Sequence, residues 1–220
     1  NMRALGIDPN EPEYLVISHR HIDHTGGVKA FLNARSRPIK MIAHTNLFTK
    51  AYATGEGGKL EDISVDFTRD YLESKGVELI LIKEPYKITD NIIVSGEIPR
   101  RWGPSHTGAV TDEVPDDMAL YIKHPNGLIA ITGCGHSGVE NIVEYGFQLT
   151  GLDRLYAIIG GLHFMGLGED RIRQVTNYLV AKSPSVVVGT HCTGILGIAA
   201  LYSAMPRAVR LGGVGSVIEL

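Results

Sequence analysis

What this chain has little of narrows it before any motif is considered. It carries two cysteines, Cys134 and Cys192, among 220 residues, which excludes a disulfide framework and leaves the fold to a buried core. Positive charge is not in excess: 21 Lys and Arg stand against 24 Asp and Glu, a net charge of −3. That balance denies the protein the broad basic surface that a phosphate backbone requires, so nucleic acid is set aside as a partner and any anion site must be local. No apolar stretch approaches the roughly 18 residues of a membrane span, and no signal peptide opens the chain, so a cytoplasmic protein with no membrane partner is expected. There is no internal repeat and no low-complexity linker, and residues 1–220 are expected to form a single domain. The 44% of apolar residues suffice to give that domain a substantial interior.

The order of elements is that of an α/β sandwich. Strands are predicted over 14–18, 40–43, 77–82, 91–95, 119–123, 128–132, 155–159 and 185–189, where apolar and β-branched residues cluster. Helices are predicted over 28–32, 64–75, 139–149 and 169–182, with another from about residue 195. Ser64 is the expected N-cap of the second helix. Pro125-Asn126-Gly127 marks a hairpin, and Pro99 to Asp117, which holds Trp102, a long loop. Hairpins combined with strand–helix alternation predict a mixed sheet rather than a purely parallel one.

What the chain does have is histidine where strands stop. His19, His44, His136, His163 and His191 each follow an apolar stretch within a few residues, and loops after strand ends meet along the edge where α/β folds assemble their sites. The densest group is SHRHIDHTGG at 18–27. In extended chain His19 and His21 fall on one side, and the turn that follows lets Asp23 and His24 face a second point. Imidazole nitrogen and carboxylate oxygen suit a borderline cation such as Zn²⁺, with Mn²⁺ or Fe as alternatives, and a catalytic ion needs about three protein ligands plus an open position. Four ligand types here fit two ions better than one, and they need partners from elsewhere. TGCGHSG at 132–138 offers Cys134 and His136 in a glycine-rich turn, and GTHCTG at 189–194 offers His191 and Cys192 in another. Backbone N–H groups at such helix starts also suit an anion, which makes Ser137, Gly138 and Thr193 candidate substrate contacts. GGLH at 160–163 adds Gly161 and His163 to the substrate candidates. His106 and His124 are read as exposed side chains without a role.

These residues resemble the metallo-β-lactamase superfamily, with H-x-H-x-D-H after an early strand and further ligand types after later ones along nearly the whole chain. The resemblance implies an αββα sandwich, a four-layer α+β arrangement with a metal site at one sheet edge. It implies that His19 and His21 bind a first metal and Asp23 and His24 a second, and that His191 matches the family's last histidine. Two middle ligands depart from the family pattern. Where most members carry Gly-His this chain reads Ser95-Gly96-Glu97, and where most carry Gly-Asp it reads Gly133-Cys134. His136 is the natural substitute, with Glu97 or Cys134 as further ligand candidates, and the number of metals, one or two, stays open. The family also carries two strands and a hairpin before the motif, so a truncated or cleaved N-terminus is expected, with Met2 as initiator the alternative.

Within the superfamily, SHRHIDHTGG, TGCGHSGVENIV, IGGLHF and HCTG together look like the branch of dihydropterin-methyl-ribofuranosylaminobenzene-phosphate synthases of methanopterin biosynthesis and their relatives. That resemblance implies a metal-dependent transferase acting on a phosphorylated small molecule. Pyrophosphate would be displaced from a hydroxymethyl-dihydropterin diphosphate by a ribofuranosylaminobenzene phosphate. Asp23 and His163 would serve the chemistry, and Arg100 or Arg101 would close over the anion. The competing expectation is a hydrolase of phosphoesters, lactones or thioesters in which Asp23 orients a metal-activated water. A metal-bearing sensor or scaffold is the non-enzymatic reading. A diiron redox role and a nuclease role are disfavoured, since neither a flavin domain nor a basic insertion is visible. A homo-oligomer is left open.

Overall fold

Period-two alternation along the strands divides the apolar residues of this chain between two surfaces, and that division makes the layers. The computed structural model describes residues 1–220. Its strands are β1 (Tyr14–Val16), β2 (Ile39–His44), β3 (Tyr52–Thr54), β4 (Leu60–Asp62), β5 (Val77–Ile82), β6 (Tyr86–Lys87), β7 (Ile92–Val94), β8 (Ala119–His124), β9 (Gly127–Thr132), β10 (Leu155–Gly161) and β11 (Val186–Thr190). Its helices are α1 (Ile22–Thr25), α2 (Val28–Asn33), α3 (Arg69–Ser74), α4 (Val139–Thr150), α5 (Glu169–Lys182) and α6 (Gly194–Ala204). In β2, Met41 and Ala43 pack with Val28 and Leu32 of α2 and Leu72 of α3, while Ile42 between them packs with Val94 and Met118 of the other sheet. In β9, Leu128 and Ala130 meet Ile142 of α4, and Ile129 joins Ala157, Val186 and Val188 on the opposite face. The result is helix, sheet, sheet, helix, the expected αββα sandwich.

The first sheet is parallel, in the order β1-β2-β5. The second, β11-β10-β9-β8-β7-β6, is mixed, antiparallel from β6 to β9 and parallel from β9 to β11. β1, β9, β10 and β11 each run straight into a histidine-bearing loop, so their C-terminal ends gather four separate stretches of sequence at one edge. No helix is long and apolar enough to cross a membrane.

Three details differ from the sequence expectations. The second long helix starts at Arg69 rather than at 64, capped by Thr68, whose Oγ1 accepts from the Tyr71 amide at 3.2 Å. Ser64 is engaged elsewhere, accepting the Ala51 N–H at 2.9 Å and so closing the base of the β3–β4 hairpin. That hairpin was not expected: its strands are three residues each and mostly exposed, too short to show an apolar pattern. It is continued by the long loop, where Ala53 bridges Val110, and together they form one wall of the site.

Candidate metal centre

The turn after β1 presents its residues by alternation. Arg20 points away from its neighbours His19 and His21 and is 1% exposed. Its guanidinium pairs with Asp116 and Asp112, and its backbone N–H donates to Asp116 Oδ2 at 2.7 Å. The ion pairs therefore anchor the histidine turn to the long loop. His21 then caps α1, with Thr25 Oγ1 donating to its carbonyl at 3.0 Å. On the other sheet, the turn after β9 is fixed by Asp117, whose Oδ2 accepts the Ser137 N–H at 2.8 Å.

Two groups of ligand types result. In the deeper one the His19 and His21 ring centroids are 4.4 Å apart, and that of His136 lies 4.9 Å from the first and 5.2 Å from the second. All three are almost fully buried, and none of their Nε2 atoms has a hydrogen-bond partner. The other ring nitrogen is satisfied in two of them. His136 Nδ1 lies 3.2 Å from the His106 carbonyl, which can only accept, so the proton sits on Nδ1 and Nε2 is a bare acceptor; His19 Nδ1 meets Ser18 Oγ at 3.2 Å. Burial depresses all three imidazoles, His21 to about 4 and His136 to about 3, and His19 well below its ordinary value. They are neutral at physiological pH, the form that binds metal. Three buried ring nitrogens without partners are expensive, on the order of 1–3 kcal/mol each, and a cation is the partner they suit; the ligand atoms of His19 and His136, with Cys134, lie within 4.8 Å of one another. The residues present fit a metal ion.

The second group faces the solvent. His24 Nε2 and His191 Nε2 are 3.1 Å apart, and Asp23 Oδ2 lies 3.2 Å from His191 and 3.4 Å from His24. The hydrogen bond with His24 holds the Asp23 carboxyl down at about 2, ionised at neutral pH. His191 takes a φ of +48° and His163 one of +50°, left-handed values that cost a side-chain-bearing residue about 1–3 kcal/mol. Two of the chain's four non-glycine residues with positive φ thus lie at this edge. Cys134 touches the second group as well, Sγ 3.3 Å from His24 Nε2.

Both groups open onto a cavity of about 840 Å³. Its apolar lining is made by Ile22, Ile63, Val110 and Met165, and His106 and His163 also line it. The His163 ring lies tilted against His136 at 4.2 Å and edge-on to His106 at 4.9 Å, its Nδ1 buried without a partner. Burial, followed by the neighbouring His136, lowers it to about 3. Gly108 lies so close that a Cβ there would stand 3.1 Å from the His163 ring.

The structure brings His19, His21, Asp23, His24, Cys134, His136, His163 and His191 together, and leaves other candidates outside. Glu97 pairs with Lys83 at 3.2 Å and lies 3.8 Å from His44, so it belongs to no ligand group. Arg100 donates to the Val114 carbonyl at 2.6 Å, and Arg101 lies on the Trp102 ring and reaches Gln148. Neither closes over the cavity, whose lining contains no Lys or Arg. The glycine-rich turns do not form phosphate cradles either. The Ser137 N–H is spent on Asp117, and Gly138 is pressed onto the Pro104 carbonyl. Gly161 is closed in by Cys192, and Thr193 Oγ1 accepts the Leu162 N–H at 3.0 Å in the interior. His124 lies against Tyr156, stacked at 4.8 Å. His106 was missed: its loop lacks periodicity, and pairing with His136, N–H to carbonyl at 2.9 Å and carbonyl to Nδ1 at 3.2 Å, brings it in.

Comparison with known proteins gives concordant results. A family model for the metallo-β-lactamase superfamily matches residues 2–134. The chain is 35% identical over 216 residues to uncharacterized protein MJ0448 of Methanocaldococcus jannaschii, covering 94% of this chain and 78% of that one. It is 28% identical over 207 residues to the 7,8-dihydropterin-6-methyl-4-(β-D-ribofuranosyl)-aminobenzene-5'-phosphate synthase of the same organism, covering 88% of this chain and 70% of the relative. Among solved structures it is similar to Tm1679, described as a metal-dependent hydrolase of the β-lactamase superfamily. The TM-score is 0.85 at 24% identity, over 100% of this chain and 83% of that one, a likeness of fold.

Proposed function

Because the chain belongs to the metallo-β-lactamase superfamily, we propose that it is a metal-dependent enzyme acting on a phosphorylated small molecule, a synthase of the kind named for its methanogen relative. The observation that carries the metal dependence is the set of buried, unpartnered Nε2 atoms on the neighbouring rings of His19, His21 and His136. His19, His21 and His136 would hold one divalent cation of the zinc class, and Asp23, His24 and His191 a second. Such ions supply Lewis acidity and neutralise a diphosphate leaving group.

The protein's own groups do the rest. Asp23, ionised, orients the group that approaches the solvent-facing position. His163, neutral and packed between His136 and His106, shapes the cavity on that side. The apolar lining of Ile22, Ile63, Val110 and Met165 takes the flat, uncharged part of the substrate and excludes water from it. With no Lys or Arg in the lining, negative charge on the substrate is met at the ligand groups alone.

That same absence favours a second reading, hydrolysis of a less charged ester or lactone by activated water. Elemental analysis of protein purified without added metal should find about one to two equivalents of Zn, Mn or Fe, and under about a tenth of an equivalent would refute metal dependence. To separate the two activities, pyrophosphate release from hydroxymethyl-dihydropterin diphosphate is followed with and without the ribofuranosylaminobenzene phosphate. Release that needs the second substrate supports the synthase, and release indifferent to it supports hydrolysis.

A further inference from the structure

One residue belongs to both ligand groups. Cys134 Sγ clusters with His19 and His136 on one side and with Asp23, His24 and His191 on the other, the ligand atoms of each cluster lying within 4.8 Å of one another. No histidine or carboxylate is shared in this way between the two. The sulfur is buried, on a residue 4% exposed.

The backbone holds it there. Gly133 lies against Ser18 so closely that a Cβ would overlap the serine hydroxyl. Gly135 has a φ of +75°, and a Cβ on it would come 2.8 Å from the Gly161 carbonyl. The turn carrying Cys134 is wedged between the histidine turn and the end of β10 and has no room to withdraw. Cys192 is placed differently: its thiol donates to the Cys134 carbonyl at 3.2 Å, and its own cluster contains only Cys134 and His163.

We propose that Cys134 is the ligand common to both metal positions, its sulfur bridging them, and that the centre therefore selects a thiophilic divalent cation over manganese or magnesium. This rests on the metal reading given above. A thiolate between two dications screens their mutual repulsion, and its softness favours zinc, ferrous iron or cobalt where an all-nitrogen-and-oxygen set would also accept manganese. Binding releases the thiol proton to solvent, so each centre formed yields the cysteine proton along with the bound ions. One thiolate and one carboxylate only partly neutralise two dications. The remaining positive charge gives an anionic substrate its counter-charge in a cavity without Lys or Arg.

The test is cobalt substitution of the whole protein. The Co²⁺ form should show visible ligand-field bands together with a near-ultraviolet sulfur-to-cobalt charge-transfer band. The charge-transfer band should be lost in Cys134→Ser and retained in Cys192→Ser. Visible bands without any charge-transfer band in the unaltered protein, or a band lost in Cys192→Ser and kept in Cys134→Ser, would overturn the bridge while leaving the metal centre intact. Failure to bind cobalt at all would overturn both. X-ray absorption of the unaltered zinc protein gives the same answer without relying on a variant that folds: a sulfur neighbour at about 2.3 Å is expected, and a purely nitrogen and oxygen shell refutes it.

Discussion

The two ligand groups draw on the same short turn, each with one histidine from another strand end, yet they are built in opposite ways. His19, His21 and His136 are buried, neutral and without partners at Nε2. Asp23 and His191 are about half exposed and already contact one another and His24 at 3.1–3.4 Å. The deep group's nitrogens are shielded from solvent and left without a partner, the lack a bound cation would fill. The outer group has alternatives in water and in its own internal contacts. A deep ion should therefore be held tightly and serve as structure, while an outer one exchanges and meets the substrate.

Removing one ligand from each group is the most direct way to break that comparison. His136→Ala should empty the deep position and lower activity by more than about 100-fold, beyond the range for loss of an outer-shell partner. His191→Ala should also abolish turnover but leave about one ion bound. Loss of both ions, or of neither, in either variant, measured by elemental analysis, would show that the groups are not distinct. Next in size is Arg20→Met, which strands Asp116 in the interior and should cost about 3–5 kcal/mol of unfolding free energy, read by denaturant titration. An unchanged midpoint would mean that the ion pairs do not hold the deep turn.

Acid should sharpen the contrast further. In metal-free protein His21 falls from 6.5 to about 4 and His136 from 6.5 to about 3 on folding. The unfolded chain therefore takes up protons first, and stability present above pH 6.5 drains away as pH falls through 6.5 toward 4. Thermal unfolding of the metal-free protein across that window should show a falling midpoint, with a shallower slope in His136→Asn. A flat profile would mean the imidazoles are not desolvated. The smallest effect belongs to a histidine outside both groups: His124→Ala should leave metal content and turnover unchanged and move stability by no more than about 0.5 kcal/mol.

Much of the site was legible because its residues are local in sequence. The H-x-H-x-D-H spacing sets His19 and His21 on one side by strand alternation alone, and the placement of His136 and His191 just after apolar runs puts them at the same edge. α5 was readable to the residue, since acids open it, Lys182 ends it and Ile172, Val175 and Leu179 repeat at helical spacing. Glu97, Arg100 and the glycine turns were misread for one reason: each looked available in sequence, and each is engaged by a distant group, Glu97 by Lys83, Arg100 by Val114 and Ser137 by Asp117. Ser64 follows the same rule, a good cap residue claimed by Ala51 instead.

The sequence by itself determined the ligand chemistry, the mixed strand–helix order and the edge where the histidines would meet, because side-chain type and periodicity are properties of contiguous residues. Only the tertiary structure decided which nitrogens are stripped of partners, that His106 joins the wall, that no cation lines the cavity and that Cys134 lies against both groups. Those are outcomes of burial and of pairing between segments many residues apart, where the hydrogen bond that one residue offers is spent by whichever partner the fold brings to it.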